Sequence, residues 1–195
     1  MKEEKEILTI LSRDEYTRVL AWLKGNLSRP KRIKRLAVQC TDTSYDDLDT
    51  RIRITDGKVQ LMQKIGKWKS KTREEIEINL PGNPEMILKI FKILRNAMKG
   101  DKVRTSIIQT DSLVFKSKDF EIKLTHQFGK SNKYNAEIEV FDPKIEPEEI
   151  AEKYDIPIHL PEHTAEFWDS WSKAVNYYAD ELSEEKLLAI IKRYL

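Results

Sequence analysis

Pairs of glutamate residues separated by one position occur in three strand-like segments of the sequence. The pairs are Glu4 and Glu6, Glu75 and Glu77, and Glu137 and Glu139. Because alternate residues of a strand point to the same face of a sheet, each pair presents two carboxylates side by side. Carboxylate oxygens are ligands that Mg²⁺ and Mn²⁺ prefer in proteins. The spacing therefore indicates chemistry that depends on a divalent cation.

Basic residues recur on the same strand faces as these acids. Arg51 and Arg53 alternate with isoleucines in "RIRI", and Lys123 alternates with apolar residues in "FEIKL". Lysine and arginine hold phosphate oxygens, and arginine often does so through two parallel hydrogen bonds. A face that mixes acids and bases in this way suits a divalent metal together with a polyphosphate.

Two arrangements explain strands that are half apolar and half charged. In the first, an amphipathic sheet buries its apolar face against helices and exposes its charged face to water. Opposite charges on neighbouring strands would then pair across the sheet. In the second, about eight strands close into a barrel with the charged face inside, where charges need partners.

The composition limits the class of protein. The chain has 195 residues, which suits one fairly large domain, and its 35 basic and 33 acidic residues nearly cancel. No strong basic field calls for nucleic acid, and the single cysteine excludes an intrachain disulfide. No apolar run approaches the length of a membrane helix, and the charged N-terminus is unlike a signal peptide. We therefore expect a cytoplasmic protein with no membrane partner.

The order of the elements predicts an α+β fold with a mostly antiparallel sheet. The N-terminal half reads as a strand over 3–11, a helix capped by Ser12 and Glu15, a strand over 35–42, a hairpin around Asp56 and Gly57, a strand over 72–80 and a helix over 83–100. Three further strands follow, in 102–109, 112–128 (with a break at its lysines) and 133–141. The last fifty residues read as helices, in 146–154, 161–182 and 183–195.

This order of motifs resembles that of the triphosphate tunnel metalloenzymes, also called the CYTH superfamily, over residues 3–141. The matching residues are Glu4, Glu6, Arg51, Arg53, Lys64, Arg73, Glu75, Glu77, Glu137 and Glu139, with a looser match at Arg104. Lys116 and Lys118 resemble the basic strand of the RNA triphosphatase branch. Two residues depart from the family pattern, because Leu8 replaces a lysine and Lys123 stands where many members have aspartate.

The resemblance implies a closed eight-stranded antiparallel barrel, a tunnel, with helices packed outside it and a helical C-terminus. We expect one domain over 1–195, of which 146–195 is a helical extension. Members bind a triphosphate inside the tunnel and need a divalent metal, Mg²⁺ or Mn²⁺. The implied activity is hydrolysis of a nucleoside triphosphate, an RNA 5′-triphosphate or inorganic tripolyphosphate at the γ-phosphate.

The resemblance also assigns roles to the matching residues. Glu4, Glu6, Glu137 and Glu139 would hold the metal, and Glu75 and Glu77 would be catalytic, completing this set or orienting the attacking water. The phosphates would be bound by Arg51, Arg53, Lys64, Arg73, Arg104, Lys116, Lys118 and Lys123. The basic segment 28–35 is interpreted as a solvated connection or as a rim that attracts RNA or polyphosphate.

Two other functions remain open at this point. An adenylate cyclase on the same scaffold would release pyrophosphate and a cyclic nucleotide instead of orthophosphate. A non-catalytic module would bind polyphosphate or nucleic acid without turnover, and Leu8 and Lys123 favour it. The expected partner is a small molecule that contains a triphosphate or an RNA 5′ end, and a homodimer is a further option.

Overall fold

The computed structural model describes residues 5–42, 48–66, 74–98, 103–161 and 165–195, without the side chains at 41, 42, 103, 104 and 165. Its strands are β1 (Lys5–Leu11), β2 (Lys31–Asp42), β3 (Leu48–Thr55), β4 (Lys58–Ile65), β5 (Glu74–Leu80), β6 (Val103–Lys116), β7 (Phe120–Phe128), β8 (Asn132–Val140) and β9 (Tyr177–Tyr178). Its helices are α1 (Arg13–Asn26), α2 (Pro84–Ala97), α3 (Pro147–Lys153), α4 (Ala165–Val175) and α5 (Glu184–Lys192).

The α+β class and the antiparallel sheet that the sequence predicts are confirmed. The strands follow one path in the order β1-β8-β7-β6-β2-β3-β4-β5, and the short β9 pairs with β6. In the described part of the chain this path is open, because β1 and β5 are its two ends. Closure of the sheet into a barrel is therefore not part of the observed fold.

The chain packs as two compact units. The first unit comprises 1–33 and 110–175, and the second comprises 34–109 and 176–195. The long strands β2 and β6 each contribute residues to both units. The C-terminal segment 146–195 is likewise divided between them, and its description as one extension of a single domain stays a prediction.

The first unit buries one face of β1, β7 and β8 beneath α1 and α3. Its core includes Ile7, Leu11, Val19, Leu23, Phe115, Ile122, Leu124, Ile138, Ile150 and Ala151. Helix α1 begins where the sequence predicts, because Ser12 and Glu15 form a capping box. The Ser12 N–H donates to Glu15 Oε2 at 2.8 Å, and the Glu15 N–H donates to Ser12 Oγ at 3.2 Å.

The second unit buries the apolar face of β2, β3 and β4 beneath α2 and α5. Its core includes Leu36, Val38, Cys40, Ile52, Ile54, Val59, Ile87, Phe91, Leu187 and Ile191. Asn83 caps α2 by accepting from the Met86 N–H at 2.8 Å. Asp56 and Gly57 have φ values of 48° and 83°, so the β3–β4 hairpin turn is of the tight kind that these two residues predict.

Three elements differ from those that the sequence predicts. Strand β2 begins at Lys31, inside the segment interpreted as a connection. Two hydrogen bonds with Asp56 hold this part of the strand: the Lys34 N–H donates to Asp56 Oδ1 at 2.9 Å, and the Asp56 N–H donates to the Lys34 carbonyl at 3.0 Å. Strand β6 runs through residue 110 without a break, and the chain turns only at 117–119. The helix predicted to reach residue 182 ends at Val175, and the two residues of β9 then pair with β6.

In the described residues, no helix combines the length and the apolar character needed to cross a membrane.

Candidate functional site

Alternate residues of β1, β8 and β7 form the charged face of the first unit. Glu6 lies directly opposite Glu139 in the β1–β8 pair, and Glu139 lies opposite Glu121 in the β7–β8 pair. Glu121 also forms an ion pair with Lys116, whose Nζ lies 3.1 Å from Glu121 Oε2. The Lys116 side chain is 71% exposed. Like charges placed directly opposite one another destabilise a sheet. The row of three carboxylates is therefore stabilised by neighbouring cations, of which Lys116 at Glu121 is one.

The neighbouring row contains both departures from the family pattern. Leu8 lies opposite Glu137 on one side, and Lys123 lies opposite Glu137 on the other. Lys123 Nζ is 3.0 Å from Glu137 Oε2, and both side chains are about two-thirds buried, with exposed fractions of 30% and 34%. Glu137 is thus neutralised by a base from its own unit. The lysine that the family carries at position 8 is replaced by an apolar side chain.

Helix α4 packs on the same face at the β7–β8 hairpin. Trp171 Nε1 donates to Gln127 Oε1 at 3.1 Å, and Lys133 Nζ lies 5.3 Å from the centre of the Trp171 ring. The Lys130 N–H donates to the Val175 carbonyl at 2.9 Å, which anchors the C-terminal end of α4. The charged face of the first unit is therefore covered at one end by an aromatic side chain.

In the second unit, β3, β4 and β5 carry a balanced set of charges on one face. Arg53 Nη2 donates to Gln60 Oε1 at 2.7 Å and to Glu77 Oε1 at 3.1 Å, and Gln60 Nε2 donates to Glu77 Oε2 at 2.8 Å. Lys64 Nζ lies 3.1 Å from Glu75 Oε2. These contacts form two local networks, in which each predicted catalytic glutamate is held by one of the predicted phosphate-binding residues.

Arg51 lies on the same face and pairs with Asp49 of the same strand. Arg51 donates to Asp49 through Nη2 and through Nε, the latter at 3.3 Å. Gln39 of β2 also donates to Asp49, at 3.1 Å. The Asp49 side chain is only 12% exposed, so it needs these partners. Arg51 is thereby held in one orientation on the face.

The hydrogen bond from Lys64 lowers the pKa of Glu75, and the charges of Lys64 and Arg53 act in the same direction. Burial opposes this effect, but it is the smaller influence. Glu75 is therefore ionised at neutral pH. A carboxylate with a lowered pKa is a weak proton acceptor, so Glu75 is better suited to accept hydrogen bonds than to remove a proton.

The first unit offers the donor chemistry that a divalent metal needs. Glu6 and Glu139 are partners in the β1–β8 register and carry carboxylate oxygens, which Mg²⁺ and Mn²⁺ prefer, and Glu137 shares their face. Lys123 engages Glu137, and among the described residues no three His, Cys, Asp or Glu side chains form a group that could hold a metal. The residues fit a magnesium-like ion whose remaining ligands are water and phosphate oxygens.

The other predicted site residues fall in different places. Glu4 and Arg73 lie outside the described residues, and Arg104 is placed only by its backbone in β6. Lys118 is exposed in the bend between β6 and β7, so it is not on the basic strand that the resemblance suggests. Asp49, Gln60 and Glu121 complete the charged faces and are absent from the predicted set. The period-two alternation around Arg51 and Lys123 was the available signal for Asp49 and Glu121.

Solved structures share this fold. A candidate adenylate cyclase from Bacillus halodurans has a TM-score of 0.56 at 14% identity, over 85% of this chain and 98% of its own. A candidate adenylyl cyclase from Hippeastrum, with a dominant triphosphatase activity, has a TM-score of 0.58 at 16% identity, over 88% and 96%. A conserved protein of unassigned function from Pyrococcus furiosus has a TM-score of 0.52 at 17% identity, over 80% and 92%.

The sequence itself matches no protein-family model and no curated protein. The relationship therefore lies in the fold, at identities of 14% to 17%. The chain shares the fold of these two candidate cyclases, which agrees with its resemblance to the triphosphate tunnel metalloenzymes.

Proposed function

We propose that this protein is a divalent-metal-dependent hydrolase of triphosphates. Its substrate is a nucleoside triphosphate, an RNA 5′-triphosphate or inorganic tripolyphosphate, and it releases the γ-phosphate. The main support is the set of three basic side chains on one face of β3 and β4. Arg51, Arg53 and Lys64 are only 25%, 22% and 32% exposed, so they are less hydrated than ordinary surface bases. Half-buried cations attract a polyanion more strongly than exposed ones do.

Closure of the sheet into the eight-stranded tunnel is part of this proposal. A closed sheet would surround the triphosphate and exclude water from the charged face, which strengthens each phosphate contact. The observed path from β1 to β5 is open, and closure is what the resemblance to the triphosphate tunnel metalloenzymes implies.

The chain's own residues then have distinct tasks. Arg51, Arg53 and Lys64 bind the phosphate oxygens, and Arg53 is positioned by Gln60 and Glu77. Glu75 and Glu77 accept hydrogen bonds and orient the attacking water. The water oxygen bonds to the γ-phosphorus, the bond to the bridging oxygen breaks, and the products are orthophosphate, a diphosphate and a proton.

Glu6, Glu137 and Glu139 are the described residues that would hold the metal. When bound, the metal neutralises charge on the phosphate oxygens and thereby stabilises the charge that develops during hydrolysis. Glu137 can join this set only if its pairing with Lys123 weakens. The metal is expected to be Mg²⁺ or Mn²⁺, since the donors are all carboxylates.

The test is to incubate the protein with tripolyphosphate, the four nucleoside triphosphates and a 5′-triphosphate RNA, with Mg²⁺ or Mn²⁺, and to follow all products. Orthophosphate release that requires metal and is lost in Arg53→Gln supports the proposal. Arg18→Gln is the matched control, because Arg18 pairs with Asp155 in an exposed position. Pyrophosphate with a cyclic nucleotide would replace the hydrolase by a cyclase.

One observation favours a second candidate, a triphosphate-binding module without turnover. The ion pair of Lys123 with Glu137 occupies a carboxylate that the hydrolase needs for metal. Binding of tripolyphosphate that is unchanged by a metal chelator, with no product, would establish this candidate.

A further inference from the structure

A cavity on the helix-bearing face of the first unit is not used by the proposed reaction. It has a volume of about 300 Å³ and is lined by Tyr16, Lys24, Arg32, Asp111, Leu113 and His126. Leu113 packs against the core beneath α1, whereas Lys116 and Lys123 belong to the charged face. The cavity and the charged face therefore lie on opposite sides of the strands β6 and β7.

Aromatic rings form one wall of the cavity. His126 stacks on Tyr134 with ring centres 4.8 Å apart and an angle of 14°, and Tyr134 contacts Tyr16 at 4.9 Å. His126 also lies 5.1 Å from Phe128. The rings of Tyr16 and His126 border the open space. Such a wall suits a planar ligand, because a further ring can continue the stack.

The lining also carries fixed polar groups. Arg32 Nε donates to Asp111 Oδ1 at 2.8 Å, and Arg32 Nη2 also donates to the Asp111 carboxylate. This ion pair cancels the charge of Asp111, the one acid among the described lining residues, and leaves further Arg32 N–H groups for a ligand. Lys24 has no ion pair with another described residue, so the cavity has a net positive charge.

The Tyr16 hydroxyl remains a hydrogen-bond donor at neutral pH. Burial raises the pKa of Tyr16, and the neighbouring Asp111 carboxylate raises it further. Tyr16 and Lys24 are eight residues apart on α1, so they lie on one side of the helix. Their positions are roughly 12 Å apart along the helix axis. The cavity thus offers stacking at one end and a cation at the other.

A basic residue also precedes β2 beside the cavity. Arg29 is exposed on the segment that joins α1 to β2, and it has no ion pair with another described residue. Lys31 is the first residue of β2 and alternates with Arg32, so it lies on the other face of the sheet. A free mononucleotide would need only the cavity, whereas a strand of nucleic acid would also use Arg29. Clustered cations beside exposed rings are the usual combination in sites for single strands.

We propose that the cavity and this basic segment bind single-stranded nucleic acid. One base stacks against Tyr16 and His126, and its phosphate contacts Lys24 and Arg32. An adjacent phosphate contacts Arg29. This site is separate from the triphosphate site and does not depend on catalysis.

The test uses a 3′-labelled ten-nucleotide RNA with a 5′-hydroxyl, which offers no triphosphate to the charged face. Fluorescence anisotropy at 50 and 200 mM salt gives the affinity and its salt dependence. Lys24→Ala should weaken binding and lower the slope of log K against log salt by about 0.7. Lys144→Ala, an exposed lysine of the same unit, is the matched control and should change neither.

His126→Ala should weaken binding about tenfold through the lost stack, and His126→Phe should restore it. Arg53→Gln should leave RNA binding unchanged while it lowers triphosphate hydrolysis, so the two proposals fail separately. Competition by AMP tests the placement of the base. Displacement of the RNA by excess AMP is expected, because both place a base and a phosphate in the cavity, whereas RNA binding that excess AMP leaves unchanged would contradict this placement.

Several results would overturn the proposal. One is RNA affinity weaker than about 100 µM at 50 mM salt, the weak end of ordinary non-specific binding. Another is an equal loss in Lys24→Ala and Lys144→Ala, which would show attraction by overall charge alone. A third is a protein that binds poly-glutamate but not RNA, with Lys24→Ala weakening the binding of poly-glutamate. The partner of the cavity would then be an acidic protein.

Discussion

Lys123 Nζ lies 3.0 Å from Glu137 Oε2 across the β7–β8 pair, and Leu8 lies opposite the same glutamate in the β1–β8 pair. The two residues that depart from the pattern of the triphosphate tunnel metalloenzymes are therefore both cross-strand neighbours of Glu137. A family lysine at position 8 would have approached Glu137 from β1, whereas here the cation approaches from β7. The departures are thus linked by the strand register, although they are 115 residues apart in sequence.

The first prediction concerns competition between Lys123 and the metal. Lys123→Gln removes the charge that occupies Glu137, so Mn²⁺ should bind about tenfold more tightly, or about 1.4 kcal/mol. Isothermal titration with Mn²⁺ measures this change. Lys116→Gln is the control, because Lys116 pairs with Glu121 but is 71% exposed, and it should change the affinity less. Equal affinity in Lys123→Gln and the wild type would show that Glu137 is not a metal ligand.

The second prediction concerns pH and the start of α1. The bond from the Ser12 backbone, followed by the bond from His159, lowers the pKa of Glu15 from 4.5 to about 2. A lowered pKa stabilises the folded state above pH 4.5, and this contribution is lost as the pH falls through the range down to about 2. Glu15→Gln should therefore destabilise by about 1 kcal/mol at pH 7 and by roughly half of that or less at pH 3.

Urea unfolding at the two pH values, followed by circular dichroism, measures this difference. Asp14→Asn is the control, since it makes the same change of charge in the same turn without the bonds to Ser12 and His159. A constant difference between Glu15→Gln and the wild type from pH 7 to pH 3 would contradict the assignment.

Features that depend on near neighbours could be predicted from the sequence. The capping box of Ser12 and Glu15, the cap at Asn83 and the turn at Asp56 and Gly57 each depend on residues within four positions. The alternation of charge also places Arg51, Arg53 and Glu77 on the correct face. These features are local because turn geometry and side-chain periodicity are properties of the backbone.

Features that depend on strand partners could not be predicted in the same way. The alternation places Lys123 and Glu137 on the charged face, but only the register of β7 with β8 makes them partners. The early start of β2 depends on Asp56, which is 22 residues from Lys34 in sequence. The cavity beside Tyr16 depends on Asp111 and His126, which are brought there by the sheet.

The third prediction concerns two apolar residues of α2. The helical spacing of the sequence includes both Phe91 and Ile93, but Phe91 is 3% exposed and Ile93 is 66% exposed. Phe91→Ala should destabilise by about 3 to 5 kcal/mol, because it leaves a cavity beneath α2 and α5. Ile93→Ala, the control on the same helix, should change the free energy of unfolding by less than about 0.5 kcal/mol. Chemical denaturation of both variants measures the contrast, and similar losses would mean that Ile93 is also buried.

The fourth prediction concerns the positioning of Arg53. Gln60 accepts from Arg53 and donates to Glu77, so Gln60→Ala should allow the guanidinium to move. We expect KM for the hydrolysed triphosphate to rise about fivefold, with kcat changed less, because binding of phosphate is affected most. Gln63→Ala is the control, since Gln63 donates to Thr50 on the other face of β4. Equal kinetics in the two variants would exclude a role of Gln60.

The last prediction concerns cooperation between the two charged faces. Arg53 of the second unit is assigned to phosphate and Glu137 of the first unit to metal, so under the proposed function both act on one substrate. Residues that act as one unit in catalysis are not additive. Arg53→Gln and Glu137→Gln should each lower kcat/KM at least tenfold, and the double variant should lose much less than the product of the two effects. Steady-state kinetics with tripolyphosphate at several Mn²⁺ concentrations measures this double-mutant cycle. The same cycle with Arg18→Gln in place of Arg53→Gln is the reference, in which the two effects should be independent. Losses that multiply in the Arg53 cycle, as they should in the reference, would mean that the faces act independently, and the single-site hydrolase would have to be abandoned.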